Sequence, residues 1–340
     1  MTITRKGLNM REITRREFMR LSTATLFSLA TPPLLSGCSA GESDIWLDRK
    51  SANLSILSKA GLRADEQLVF IEGLQREYHF VVVNDLHIIV PNEEVRQDAM
   101  DDVMARYEMG FVDDNGVTAD QMWDRMVDTI KEMDVDGVIL AADMLDFYSQ
   151  ANVDCLRQGC ERLQVPFLYI RADHDYTDGY CQPTDWETVA AAHDTIDAHE
   201  DVAVMDCGEF LVMGINNTTS QLTEEAFGEL EALFASGKPI LLVTHVPFDS
   251  LVDEGLSERC RAAWNGLELL WAYDGFPFVV GEYGERLLDL IYAPDSPVVG
   301  VVSGHLHFAY HGPLTETLQQ HVFDASHKGT LGYIVVGSRQ

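Results

Sequence analysis

Basic residues are scarce in this sequence. Its 340 residues hold 24 Lys and Arg against 55 Asp and Glu, a formal net charge of −31. The first 37 residues contain six of the basic and two of the acidic ones, so 18 and 53 remain beyond them, a net of −35. Such a surface repels nucleic acid and anionic lipid headgroups, which disfavours a nuclease and any nucleic-acid partner. Long apolar runs are missing too. The richest stretch, Leu21 to Leu35, is shorter than the roughly 20 residues of a spanning helix and is broken by Pro32-Pro33. Cysteine is sparse, six in all, and no two are spaced as a CxxC zinc pair. Setting Cys38 aside leaves five (Cys155, Cys160, Cys181, Cys207 and Cys260), an odd number, so at least one thiol stays unpaired. They read as buried free thiols, with one disulfide left open. No internal repeat or low-complexity tract is visible. The hydrophobic share of 46% and the charged share of 23% are those of an ordinary globular chain.

The N-terminal stretch carries an address. Thr14-Arg15-Arg16-Glu17-Phe18-Met19-Arg20 precedes the apolar stretch, which closes on Leu35-Ser36-Gly37-Cys38. The first motif resembles a twin-arginine export signal and the second a bacterial lipobox. The resemblance implies that residues 1–37 are a signal peptide and that Cys38 becomes the lipidated first residue of the mature protein. The protein is then exported and lipid-anchored on the outer side of the bacterial cytoplasmic membrane or in the cell envelope. Its partners include the membrane, through Cys38, and the twin-arginine export machinery. That route carries folded cargo, so a metal site can be loaded before export. Residues 38–65 are polar and mixed, and read as a tether ending in a short helix.

Beyond the tether, five apolar runs each end in metal-ligand residue types. Phe80–Val83 leads into Asp85 and His87; Val138–Ala141 into Asp143 and Asp146; Val165–Ile170 into Asp173, His174 and Asp175; Pro239–Thr244 into His245; and Val298–Val302 into His305 and His307. Short Val- and Ile-rich runs bounded by turn residues predict buried strands. In open α/β sheets, ligands sit beyond the carboxyl ends of strands. One site therefore needs residues from 85 to 307, and residues 66–340 read as one domain.

Gln67–Glu72 and Tyr78–Val83 predict two neighbouring opening strands. Helices are predicted after the capping box Thr118-Ala-Asp-Gln121, over 151–163, over 186–199 and over 223–234, with two short strands in 203–215 and a last strand at 332–337. Strands alternating with helices argue a layered α/β fold. Residues of about 248–297 are aromatic-rich and interrupt the rhythm. They read as an insertion that either lines a substrate pocket or packs helices on the core.

Histidine suits borderline transition metals and carboxylate suits harder cations, so four His with three Asp fit a pair of Mn, Fe or Zn ions. Two close divalent ions lower the pKa of a shared water and clamp phosphate oxygens, and an acid protonates the leaving oxygen. The order Asp85-Leu-His87, Ala142-Asp143-Met-Leu-Asp146, Ala172-Asp173-His174-Asp175, His245, Gly304-His305-Leu-His307 resembles the calcineurin-like metallophosphoesterase superfamily, whose signature runs DxH, GDxxD, GNH(D/E), H, GHxH. The resemblance implies a four-layer α/β/β/α sandwich with the site at the strand ends. It implies that Asp85, His87 and His307 hold one metal, that Asp173, His245 and His305 hold the other, and that Asp143 bridges them. It implies that His174 is the general acid oriented by Asp175, with Asp146 behind the ligands.

The implied activity is hydrolysis of small phosphate mono- or diesters by a metal-bridging hydroxide. The alternative is a catalytically silent surface lipoprotein that binds metal or a phospho-ligand. Two departures bear on this choice. Ala142 and Ala172 replace glycines of the signature, which tests how tightly those turns bend. Asp173 replaces a neutral amide, which adds negative charge at the second metal, raising cation affinity and weakening Lewis acidity. His79, His193, His199, His311 and His321 read as ordinary core or surface histidines. Arg171 and Asn216-Asn217 are candidate substrate contacts by position only, and structural roles are the expectation for them.

Overall fold

Strand β2, Tyr78–Val83, is buried along its whole length. Its residues alternate between two apolar layers, Val81 and Val83 in one, Phe80 and Val82 in the other, as period two demands. In the computed structural model, residues 43–338 are described, apart from 198–200, 219–221, 274, 276 and 279. The export signal, Cys38 and His199 lie outside the described residues.

β2 pairs in parallel with β3 (Gly137–Ala141), and β3 with β4 (Phe167–Ile170). On its other side it pairs antiparallel with β11 (Thr330–Gly337), which pairs in parallel with β1 (Arg63–Phe70). The order is thus β1-β11-β2-β3-β4. β1 and β2 are not neighbours, as their sequence order suggested. β11 is buried at all eight positions and needs cover on both faces, whereas β1 exposes Leu68 and Phe70 and suits an edge. The second sheet has the order β5 (Val202–Asp206), β6 (Leu211–Ile215), β7 (Ile240–Thr244), β8 (Val298–Ser303), β10 (Gln319–Val322), β9 (Tyr310–Pro313). Its four central strands are mutually parallel, with β5 and β9 antiparallel at the edges.

Three apolar layers separate four layers of structure. Between the sheets lie Phe80, Val82, Ile139, Ile170, Ile334 and Val336 from the first, and Val212, Leu241, Val243 and Val302 from the second. The outer face of the first sheet is covered by α1 (Ser43–Lys59), α3 (Ala119–Ile130), α4 (Gln150–Arg162) and α6 (Trp186–Asp194). The outer face of the second is covered by α7 (Glu224–Phe234) and α9 (Gly281–Tyr292). This is the α/β/β/α sandwich expected from sequence. Helix α3 shows how it is held: Met122, Trp123, Met126, Val127 and Ile130 recur at helical spacing and are all 0% exposed. Each such side chain contributes about 1.5–3 kcal/mol over leaving it in water.

Several local expectations are corrected. Residues 49–65 are not a tether. Helix α1 packs on the sheet through Leu57, while Asn53 Nδ2 donates to Tyr333 Oη (2.8 Å) and the Asp134 carbonyl (2.7 Å). Over residues 49–59 of α1 only Asn53 and Leu57 are buried, so the mixed composition hides the packing. The capping box at Thr118 is absent. The Thr118 side chain accepts from no amide of the first turn, and its hydroxyl donates to Asp120 Oδ1 at 2.5 Å. Between β2 and α3 lie α2 (Met100–Ala105) and a π-turn, Arg106–Gly110. Cys155, Cys160, Cys181, Cys207 and Cys260 are all free. No described helix is long and apolar enough to cross a membrane.

Candidate metal centre

The parallel strands of both sheets end at one edge, and the ligand residues follow them there. Beyond β2 and β3 the pairing continues for a few residues: the amides of Asp85, His87 and Ile88 donate to the carbonyls of Ala142, Asp143 and Met144. Asp85, His87, Ala142, Asp143, His305 and His307 all have positive φ, between 47° and 70°, and they make up six of the eight such non-glycine residues described. The left-handed region costs an L-residue about 1–2 kcal/mol. Its concentration here means that tertiary bonds hold these turns against local preference. Ala142, at φ 70°, takes the conformation that glycine would adopt freely. Ala172, at φ −129° and ψ −176°, is ordinary extended backbone and needs no glycine.

Three groups of ligand atoms converge, each group within 4.8 Å: Asp85, His87 and His307; His87, Asp143 and His174; Asp143, His245 and His305. His87 Nε2 is 3.2 Å from His307 Nε2, and His305 Nδ1 is 3.2 Å from His245 Nε2. His245 Nε2 lies 3.0 Å from Asp143 Oδ2 and 3.9 Å from Asp85 Oδ1, and His307 Nε2 is 3.5 Å from Asp85 Oδ1. Asp143 Oδ1 and His305 Nε2 are buried without a hydrogen-bond partner among the described residues. Facing imidazole nitrogens, a shared carboxylate and orphaned buried acceptors fit divalent cations, which use such lone pairs. Asp173 lines the same cleft but belongs to none of the three groups.

The electrostatics agree. Burial favours neutral carboxyls, yet His307, His245 and His87 outweigh it at Asp85, and His245, His174 and His87 outweigh it at Asp143, so both stay below the usual carboxylate range. Burial also opposes protonation of His245, but Asp143, Asp85 and Asp173 raise it to about 10. Its neighbour His305 is lowered to about 3, by burial and then by the His245 charge. A proton on His245 thus supplies positive charge among these carboxylates. An imidazole that is to bind a metal must first surrender such a proton. At Asp173, lost hydration and the adjacent Asp143 both raise the pKa.

His174 stands at the cleft with its side chain 18% exposed. Its Nδ1 lies 2.9 Å from the Asp146 carbonyl and so carries the hydrogen. Asp146 is fully buried. Its carboxylate takes a two-pronged bond from Arg106 (Nε at 2.6 Å) and reaches His87 Nδ1 at 3.2 Å. Asp175 does not orient His174 as expected. Its carboxylate turns into the turns beneath, accepting from the amides of Asp143 (3.1 Å), Leu145 (2.9 Å) and Ala172 (2.8 Å). It sits at the third position of a one-turn helix, Asp173–Tyr176, from which a carboxylate reaches back to free amides.

Sequence reasoning missed several residues. Phe111 stacks on His87 (4.2 Å, 15°) and, with Arg106, is delivered by the π-turn. His327 Nδ1 bonds the carbonyl of strained Asp85 at 2.9 Å, and Lys328 Nζ donates to the His307 carbonyl at 2.7 Å. Asn84 Nδ2 holds Asp85 Oδ2 at 2.6 Å. The neighbour position of Asn84 was a usable signal; the others come from segments without a motif. Asn217 has the structural role expected of it: Oδ1 accepts from the amides of His245 and Val246. Arg171 is buried and bonds the Asp197 carbonyl. The insertion reaches both the cleft and the core. Trp264, just after α8 (Gly255–Ala263), lines the cleft and Phe278 meets the His305 ring at 5.2 Å, while α9 packs on the second sheet.

No family model and no curated protein matches the sequence. Solved structures do. A dimetal phosphatase from Danio rerio is 12% identical, with 74% of this chain and 88% of that one covered and a TM-score of 0.42. A purple acid phosphatase from yellow lupin (Lupinus luteus) seeds is 11% identical, with 77% of this chain and 46% of that one covered and a TM-score of 0.43. These are likenesses of chain course, and the chemistry below rests on the residues of this chain.

Proposed function

We propose that this chain is a metal-dependent hydrolase of phosphate mono- or diesters, exported by the twin-arginine route and tethered through Cys38 to the outer side of the membrane. The observation that supports it most is the sharing of Asp143 between ligand groups from both sheets, in a cleft that also presents His174. Asp85, His87 and His307 would hold one divalent cation; Asp143, His245 and His305 would hold a second, with Asp173 at its side and Asp143 common to both. Bound cations of this class (Mn, Fe or Zn) supply Lewis acidity to phosphate oxygens and acidify water.

The chain's own residues do the rest. With its Nδ1 hydrogen given to the Asp146 carbonyl, His174 keeps Nε2 to carry a transferable proton. Burial opposes that charge, but Asp143, Asp173 and Asp146 raise the ring to about 9. Sharing those carboxylates with bound cations lowers it toward the range in which a general acid works near neutrality. His174 then protonates the departing alkoxide. Phe111 and Trp264 wall the cleft and restrict water. A twin-arginine route suits a centre whose ligands span 85–307, because it moves chains already folded.

The test is a phosphoester panel run with Mn²⁺, Fe²⁺ and Zn²⁺ on wild type and His174→Ala. Alkyl esters should lose about 10²–10⁴-fold in the variant and aryl esters less, because a poor leaving group needs the proton more. Equal rates for wild type and variant on alkyl esters would remove His174 from its role. The second reading, a silent binding protein, draws on the like-charge pair of Asp143 and Asp173. It prevails if no metal supports turnover while phosphate still binds tightly. Cys38→Ser should move the protein from the membrane fraction to the soluble one.

A further inference from the structure

At the far edge of the sandwich, β9 and β10 set His311 opposite His321, with ring centroids 5.4 Å apart at 45°. From the other sheet, Asp65 of β1 places Oδ2 at 2.8 Å from His311 Nε2, and Gln67 holds its other oxygen at 3.0 Å. A bond to a carboxylate requires the hydrogen on Nε2, so neutral His311 has its lone pair on Nδ1. That Nδ1 is buried, and so is Nδ1 of His321, a residue 6% exposed. Neither has a hydrogen-bond partner among the described residues. Burial holds His321 down at about 4, so its ring is neutral and also has a lone pair to offer.

An unsatisfied buried polar atom is a liability in a folded protein. Two on facing histidines, one ring already clamped by a carboxylate, call for a common ligand. We propose that His311 and His321 form a second cation site, separate from the catalytic cleft, for a borderline divalent ion such as Zn²⁺, Ni²⁺ or Cu²⁺. Imidazole nitrogen is the ligand these ions prefer. Asp65 serves as the outer carboxylate that fixes the tautomer and orients the ring of His311. The His311 side chain is 24% exposed, so the pair lies near the surface. The strongly acidic surface concentrates cations nearby. The site ties β1 of one sheet to β9 and β10 of the other, so its effect is to staple the edge.

The experiment is Zn²⁺ titration of metal-free full-length protein, by calorimetry and by equilibrium dialysis. Wild type should bind one equivalent more than His311→Gln or His321→Gln, and Zn²⁺ should raise its Tm further than theirs. Asp65→Asn, which keeps both imidazoles, should weaken that equivalent alone by roughly 10–100-fold. His245→Ala scores the catalytic centre independently, since it removes equivalents there and leaves the extra one. Should His321→Gln fail to fold, His311→Gln and Asp65→Asn, both on partly exposed side chains, decide the matter. The same number of equivalents at the same affinity in wild type and these variants overturns the site.

Discussion

Gly304→Ala tests how the centre is built, because Gly304 has no room for a side chain. A Cβ there would stand 2.3 Å from Asp85 Oδ2 and 2.8 Å from Asn84 Nδ2, where ordinary contact begins at 3.4 Å. The carboxylate would have to retreat by about 1.1 Å, the difference between 3.4 and 2.3 Å. It is held by Asn84 Nδ2 at 2.6 Å and by the His305 amide at 2.8 and 3.1 Å to its two oxygens. Charged bonds of this kind are worth about 1.5–3 kcal/mol each. A displacement near 1 Å at a reacting centre costs on the order of 100-fold. We therefore expect metal affinity and kcat/KM on an aryl phosphate to fall about 100-fold or more. Global stability should fall by only about 1–3 kcal/mol, the usual range for overpacking. Gly228→Ala is the control. It lies in α7 with nothing within 4 Å, and should gain about 0.5–1 kcal/mol of stability without touching activity. If Gly304→Ala stays within twofold of wild type in both metal affinity and turnover, Asp85 is not the anchored ligand described here.

Other expectations follow from the same contacts. Arg106→Ala leaves the Asp146 carboxylate buried without its guanidinium partner, and should cost about 3–5 kcal/mol by urea unfolding and lower kcat with it; a loss under 1 kcal/mol would show the pair to be incidental. Asp173→Asn removes one charge beside Asp143, so metal affinity should drop on the order of tenfold while kcat rises, and a fall in both would reverse the sign of the argument. Burial holds neutral His79 at about 4 against 6.5, so the unfolded chain binds more protons below pH 6.5 and stability falls as pH drops from 6.5 towards 4. By pH 5 this one ring should cost about 1–2 kcal/mol, and His79→Gln should shrink the loss between pH 7 and pH 5; an unchanged loss would exonerate the buried ring.

Much of the candidate site was legible because its residues sit where apolar runs stop. Each run is too short for a helix and too apolar for an exposed strand, so a carboxylate or imidazole just beyond it must lie at a sheet edge. The helices were legible from their stripes, as at Met122, Met126 and Ile130. What misled was polarity at short range. Asp175 follows His174 directly, yet backbone amides from another loop outbid the imidazole. Asn53 and Arg49 look like tether residues, yet they answer Asp134 across 81 and 85 positions.

By itself the sequence determined the alternation of strands and helices, the acidic surface and the order of the ligand motifs, because these follow from side-chain chemistry and local periodicity. The tertiary structure alone decided that the last strand enters between β1 and β2. It decided that Arg106 and Phe111 arrive on a π-turn behind His87, and that six residues of the centre sit in the left-handed region. Those outcomes rest on contacts between segments far apart in the chain, whose combined free energy outweighs the local preferences that a linear reading can see.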